Sequence, residues 1–596
     1  MDDSRLKALR SLMAENGIDL YYVPSADDHE TEYVVDHFEA RRFLTGFTGD
    51  AGVAVVTKDR AGLWTDGRFF IQAEEQLKGS GFSLYAMGQE GVPTVEEFMA
   101  AELPQGGVIG FDGKVVNTRD GRAFERIAAA KGGALKTDRD LADVIWTDRP
   151  PLASSPVFAL EEKYCGENTA SKLSRIRAKM REAGTGWHLV SSLEEIAWIL
   201  NVRGNDIPSV PVIYSFLLIG EDRADWFVDE HCVSDGIRKT LTAAGVSLRP
   251  YDAVYEAVSC LPAGSSVLLD TGKVNYRLTG LLPESVTICD ADDPAILMKA
   301  VKNNTEIANI REAHICDGIA VARFMHWLKT NIGKIPMTEL SVSDYLESLR
   351  AAQPGFVEIS FTTISAYQAN AAMMHYAPTP ENNAELKPEG FLLVDSGGHY
   401  LTGSTDITRT FVLGPITAQQ KRDFTLVVKG NLNLANQKFL YGCTGLNLDI
   451  LCRSSLWNLG IDYQCGTGHG VGYLLCVHEG PNGFRWKDRR GANCVLEAGM
   501  VTTDEPGVYI GGEYGIRIEN ELLCKKAEKN FYGQFLEFEN ITYAPIDLDA
   551  IDPSLLSDAD LKQLNDYHAR VYETLAPRME EDERVWLREY TRPLER

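Results

Sequence analysis

The sequence predicts a multidomain chain of mixed α/β and α+β type, on three observations. Its 596 residues are too many for one hydrophobic core. Its first half holds two diverged copies of one helix-and-strand pattern. Its second half alternates capped helices with strand runs that fold back as hairpins.

The repeat is read from spacing. In the first copy Leu6, Leu9 and Met13 recur at helical intervals and Gly17 follows as a C-cap. In the second, Leu173, Ile176, Met180 and Gly184 keep the same offsets. Each copy then shows a β-like run, VAVV or FLLI, followed by an octet, DRAGLWTD (Asp59–Asp66) or DRADWFVD (Asp222–Asp229). The expected α/β domains span 1–152 and 153–303, with Pro150, Pro151 and Pro156 marking the linker. Neither copy concentrates His, Asp or Glu as independent chemistry would require.

A third domain is expected over 304–596. Asn303 and Glu306 have capping-box spacing, and Ile307, Ile310, Ala320, Phe324 and Trp327 mark one helical face behind them. A second helix starts at Thr417, with Gln420 three residues on, and presents Phe424, Val428 and Leu432. A third runs to about Leu459 and stops at Gly460. Strands are expected in FLLVDSG, TDITRTFVL, MVTTDEPGVYI and YGIRIENELL. From about 545 a charged helical extension, LSDADLKQLNDYHARVYETL among it, serves packing or dimerisation.

Charge and cysteine usage exclude several classes. A net charge of −26 repels phosphate backbones and anionic lipids, so no nucleic-acid or membrane partner is expected. The eleven cysteines are odd in number and lack CxxC spacing, which excludes a zinc ribbon or a disulfide framework and points to reduced thiols. The opening segment MDDSRLKALRSLMAENG is a charged amphipathic helix, and no apolar run is long enough for a bilayer. A cytoplasmic protein is expected.

The chemistry lies in five residues. Asp395 ends the apolar run Phe391–Val394, and Asp406 opens the next strand beyond a turn containing Gly403. The two lie symmetrically about position 400.5, which in an antiparallel hairpin makes them opposite, with Cβ atoms about 5 Å apart. Glu505 and Glu519 repeat the design about Gly512. Like charges so placed repel unless a cation or a shared proton intervenes. His469, framed by glycines in GTGHGVG, supplies an imidazole. A single strand Asp or Gly-flanked His is more often structural. Two carboxylate pairs plus one imidazole are a set that can hold two metal ions. A phosphate loop is excluded, because no GK[ST] follows the glycines.

These residues, with FLTGFTGDAGVAVV, WTDGRFFIQAEEQL, IWTDRP, MMHYAP, VDSGG, TDITRT, GTGHGVG, VHEGP, TDEPGVY and GIRIEN, resemble the pita-bread metallopeptidases of peptidase family M24. Within them the chain is similar end to end to the long cytosolic three-domain aminopeptidase P (X-Pro aminopeptidase) form. The resemblance implies two creatinase-like N-terminal domains followed by a pita-bread catalytic domain. It implies two divalent ions, usually Mn(2+), held by Asp395, Asp406, His469, Glu505 and Glu519. His375 and His478 would position substrate, and Glu505 would accept the proton as hydroxide attacks the X-Pro carbonyl. Peptides with an Xaa-Pro N-terminus would be the substrates, and the chain would form a homodimer. Arg517 shares a strand face with Glu519 and either orients the carboxylates or offsets their charge; Tyr509 lines the pocket or packs in the core. Cys465 stands where the family commonly has a further histidine, with narrowed substrate range, weakened activity or thiol sensitivity as consequences. The alternatives are an X-Pro dipeptidase (prolidase), which resembles a single N-terminal domain, and a noncatalytic pita-bread binding module, which lacks metal ligands.

Overall fold

A computed structural model describes residues 3–152, 154–488 and 493–596. It divides into two compact units. The first comprises Met1–Ala159, Glu167–Pro208 and Val212–Ala295; the second comprises Leu160–Gly166, Ser209–Pro211 and Ile296–Arg596.

The first unit is built from two six-stranded sheets of identical topology. In the first sheet the spatial order is Ser83–Ala86, Ala61–Thr65, Val53–Thr57, Leu20–Pro24, Val108–Gly110, Ala134–Lys136. In the second it is Val246–Pro250, Ala224–Val228, Ser215–Gly220, Trp187–Val190, Ser266–Leu269, Thr287–Asp290. Parallel and antiparallel pairings match strand for strand. The duplicated spacing of the sequence is therefore a duplicated fold. Helices Ser4–Glu15 and Thr169–Glu182 open the two copies, each burying the expected trio of apolar residues. Removing each such side chain from water stabilises by about 2 kcal/mol. Gly17 and Gly184 follow with φ of +59° and +69°, a backbone region that glycine enters without strain. Met1 and Asp2, part of the predicted opening helix, lie outside the described residues.

The second unit contains the long helix Asn304–Asn331, whose Asn303–Glu306 capping box is formed. The Thr417–Gln420 box likewise opens helix Ala418–Ala435. The third helix, Gly445–Trp457, ends earlier than the predicted Leu459; Gly460, at φ +70°, belongs to the turn beyond it.

Both predicted hairpins form, and one is shifted. Strand Phe391–Ser396 pairs with Ile407–Val412, and Gly398–Tyr400 continues the hairpin with Gly403–Ser404. Asp395 faces Thr408 rather than Asp406, and the turn is at Leu401 and Thr402. The centre of symmetry is one residue later than predicted, which places Asp406 diagonal to Asp395 on the same face. Gly403 is not the turn residue. It lies against the long helix, where an added Cβ would sit 3.1 Å from Ile310 Cγ1.

The second hairpin keeps the predicted symmetry about Gly512, which takes φ +76°. Each long run is two strands, however. Val501–Asp504 pairs with Asn520–Asn530, and Gly507–Ile510 pairs with Tyr514–Arg517. The break falls at Glu505–Pro506 and Ile518–Glu519. Pro506 has no N–H to give to a ladder. At that break Glu505 donates its N–H to the Thr467 carbonyl (2.8 Å) and Glu519 to that of Thr408 (3.1 Å).

The extension forms helices Asp558–Leu575 and Glu581–Tyr590, and it packs. Leu561, Leu564, Tyr567, Val571 and Leu575 join the core that also holds Phe424, Val428 and Leu432. Beside Tyr567, the buried His568 accepts the N–H of Ile546 at Nε2 (3.1 Å). Burial first, then the charges of Arg409 and Arg592, push its pKa down to about 3. Above about pH 6.5, His568 is neutral in both folded and unfolded chains. As pH falls from there to about 3 only the unfolded chain takes the proton, so stability is progressively lost. Denaturant midpoints measured between pH 6.5 and 4 should show a His568→Gln variant less acid-sensitive than the parent, by up to about 1.4 kcal/mol per pH unit.

Candidate metal centre

The breaks in the two hairpins bring the acidic residues to one place. Asp406 precedes its strand, Glu505 and Glu519 occupy the gap between two ladders, and His469 lies on the short strand Gly468–Gly470. Gly468 must be glycine there, because an added Cβ would fall 1.8 Å from the carbonyl oxygen of Thr503. The backbone of that loop is held from behind. Arg453, fully buried, donates to the carbonyls of Tyr463 (2.8 Å) and Cys465 (2.7 Å) and to Asp449 (2.7 Å).

Asp406, His469 and Glu519 offer ligand atoms that all lie within 4.8 Å of one another. His469 Nε2 is 3.5 Å from Asp406 Oδ2 and 3.6 Å from Glu505 Oε1. Its Nδ1 lies 3.0 and 3.1 Å from the carbonyls of Gly470 and Val477, which can only accept. Nδ1 therefore carries a proton, and Nε2 is the ring atom that faces two carboxylates. Asp395 places Oδ2 on Arg517 (2.5 Å), while its buried Oδ1 has no hydrogen-bond partner among the described residues.

Electrostatics carry the same message. Burial, then repulsion from neighbouring carboxylates, raises Asp406 and Glu519 well above the ordinary carboxylate range. Glu505 is pushed up to about 7, chiefly by burial, with Arg517 opposing. An imidazole nitrogen and an orphaned oxygen set among carboxylates are what a divalent cation would satisfy. The residues present fit such ions, and carboxylates plus one imidazole are the donor set of divalent-metal hydrolases.

Arg517 and Tyr509 resolve as a support. Arg517 bonds Asp395, accepts a partner in Tyr509 Oη by donating to it (2.7 Å), and reaches Thr408 Oγ1 from Nε (3.1 Å). Tyr509 also packs against the core. His478 is exposed and sets its ring edge-on to His469, centroids 4.5 Å apart. His375 is exposed in the turn after Gln368–Ala372. That segment packs on the Arg517 strand so closely that a Cβ on Gly515 would lie 1.8 Å from the Ala371 carbonyl oxygen. Cys465 is half-buried, and burial with the Glu505 charge pushes its thiol up to about 12. So little thiolate at neutral pH makes it a poor target for thiol reagents. Among the described residues no disulfide is formed.

Two supporting residues escaped the sequence reading. Thr408 donates Oγ1 to Glu519 Oε2 (2.6 Å). Arg409, buried, donates to the carbonyls of Glu519 (2.6 Å), Ala544 and Pro545 and so ties a ligand's backbone to the extension. The one signal was a cation inside the otherwise uncharged run ITRTFV.

Comparisons with known proteins agree with this construction. Models of the creatinase/prolidase N-terminal domain match residues 5–148 and 148–306. Metallopeptidase family M24 matches 308–526, and the C-terminal region of peptidase M24 matches 534–594. Aminopeptidase P2 of Arabidopsis thaliana is 39% identical over 99% of this chain and 88% of its own length. A probable Xaa-Pro aminopeptidase P of Paracoccidioides brasiliensis is 37% identical over 99% of both. The crystal structure of X-prolyl aminopeptidase from Caenorhabditis elegans, described as a cytosolic enzyme with a di-nuclear active site, superposes with a TM-score of 0.93 at 35% identity, covering 99% of each chain. The chain belongs to metallopeptidase family M24, in its aminopeptidase P group, with two creatinase-type α/β domains ahead of a pita-bread catalytic domain.

Asp406→Ala and Glu519→Ala should each abolish binding of divalent metal, measured by calorimetric titration and elemental analysis of the purified protein. Stoichiometric metal in either variant would remove that residue from the donor set.

Proposed function

We propose that the chain is a metal-dependent exopeptidase that releases the first residue of peptides with proline in second position. What supports this reading is the cluster of Asp406, His469 and Glu519, with Glu505 beside His469, within a chain that is similar along its whole length to aminopeptidase P relatives. Asp395, Asp406, His469, Glu505 and Glu519 hold two divalent ions, for which manganese suits a set of four carboxylates and one imidazole. When bound, the ions supply Lewis acidity toward the scissile carbonyl and a hydrolytic nucleophile from water near neutral pH.

The chain's own residues do the rest. Glu505 accepts the proton of the attacking water. His478, edge-on to His469, and His375 donate toward the oxygen of the peptide carbonyl as it gains charge. Asp395, held by Arg517 and Tyr509, receives the free amine of the first residue, which restricts cleavage to the N-terminus. Proline has no N–H and confines the residue before it to extended conformations, so a site shaped to that dipeptide excludes ordinary peptides. The protein works in the cytoplasm as a homodimer, a reading supported by the cytosolic C. elegans relative for the first part and by family resemblance for the second.

Release assays with added manganese test this. The tripeptide Arg-Pro-Pro and the dipeptide Arg-Pro should separate the enzyme from a dipeptidase, with free arginine released from the tripeptide. Cleavage confined to the dipeptide would mean a prolidase, and none at all a binding module. His478→Ala should lower kcat by about 100-fold while the metal content stays unchanged; lost metal would make His478 a ligand.

A further inference from the structure

We propose that Glu521, backed by His314, is the positioning residue of the centre: it fixes the backbone of Asp406 and thereby sets how tightly Asp406 binds a divalent ion. The proposal rests on reading Asp406 as a metal ligand.

Asp406 sits where its hairpin ladder is interrupted. Pairing runs on one side through Ser396 and Ile407 and on the other through His399 and Ser404. The register places Asp406 opposite Gly397, and the Gly397 carbonyl is taken instead by the N–H of Ser360 (3.2 Å). Gly397 approaches the other arm so closely that a Cβ would fall 1.8 Å from the Thr405 carbonyl oxygen. The Asp406 amide therefore needs an acceptor from outside the ladder. Glu521 supplies it, with Oε1 accepting that N–H at 2.7 Å.

The acceptor is well anchored. Glu521 lies on strand Asn520–Asn530 opposite Thr503, and its own N–H donates to Thr542 Oγ1 (2.8 Å). Its Oε2 is 3.1 Å from Nε2 of His314, on helix Asn304–Asn331, and both side chains are fully buried. Oε1 is thus taken by the Asp406 amide and Oε2 lies against His314, and Glu521 is not among the grouped ligand atoms of Asp406, His469 and Glu519. Burying a carboxylate is costly, and a neutral acceptor would satisfy one amide. The carboxylate adds a charge-assisted bond that holds the ligand's backbone still, and it brings a further negative charge close to the centre. That charge favours a cation at the centre. His314 closes the far side of the carboxylate, with Nε2 3.1 Å from Oε2, and so limits its rotation.

Groups of this kind set metal affinity by about 10- to 100-fold. Calorimetric titration of the metal-free full-length protein with manganese(II) chloride should show Glu521→Ala weaker than the parent by that factor. Glu521→Gln, which keeps an acceptor oxygen, should stay within about threefold. Amide hydrogen exchange in the peptide containing Asp406 should speed up in Glu521→Ala and not in Glu521→Gln, with the melting temperature of the metal-free chain as the check on folding. Parental affinity in Glu521→Ala, or equal weakening in the Ala and Gln variants, would overturn the proposal. Should Glu521→Ala not fold, His314→Gln carries the test: about tenfold weaker binding supports the clasp and unchanged binding refutes it. Asp406→Ala is run alongside. If that variant binds manganese like the parent, the ligand assignment itself is wrong and the clasp falls with it. If only the Glu521 and His314 variants behave like the parent, the ligand assignment stands.

Discussion

Mutual repulsion among carboxylates is the constraint around which the second unit is arranged. Burial, and then the charges of the neighbouring carboxylates, raise the affinity of Asp406, Glu505 and Glu519 for protons, and Asp406 and Glu505 face Nε2 of His469. Left alone, such a group would separate or take up protons. The chain prevents separation through ties to the main chain as well as through side-chain bonds such as Arg517 to Asp395 and Thr408 to Glu519. Glu505 is bound to Thr467, Glu519 to Thr408 and Arg409, and Asp406 to Glu521. Arg517 contributes one buried positive charge against four negative ones, too little to neutralise them. What remains is an affinity for cations, which is the property an M24 catalytic domain needs.

The two hairpins show how far hairpin symmetry can be read from sequence. For Glu505 and Glu519 the centre at Gly512 was legible, because a glycine-rich turn between alternating strands has few solutions. For Asp395 and Asp406 the same reasoning misplaced the turn by one residue. Gly403 looked like a turn glycine, yet its lack of a side chain serves the approach of helix Asn304–Asn331. A tertiary contact had written a local signal. The error left the face unchanged, since diagonal neighbours lie on the same side of the pleat.

The duplicated first unit was legible because its helices bury the same trio at the same spacing, and both sheets inherit one strand order. The supporting residues of the centre were not. Thr408, Arg409 and Glu521 act through partners more than a hundred residues away, or through the backbone, and no periodicity records such bonds. His375 and His478 could be singled out only by resemblance, and the exposure of both gives no local reason for a histidine.

The hand-over of the second hairpin between two sheets has a thermodynamic consequence. The donors for a metal come from strands that are held together only in the native arrangement: Phe391–Ser396, Gly468–Gly470 and the two arms that meet at Pro506 and Ile518. An unfolded chain offers those donors scattered along more than a hundred residues, so an ion that binds the native set drives folding by mass action. At a free-ion concentration one hundred times the dissociation constant this amounts to about 2.7 kcal/mol. Ion availability would therefore govern the lifetime of the catalytic unit as well as its turnover. Without the ion, more of the catalytic unit would be open at any moment, and so more exposed to proteolysis.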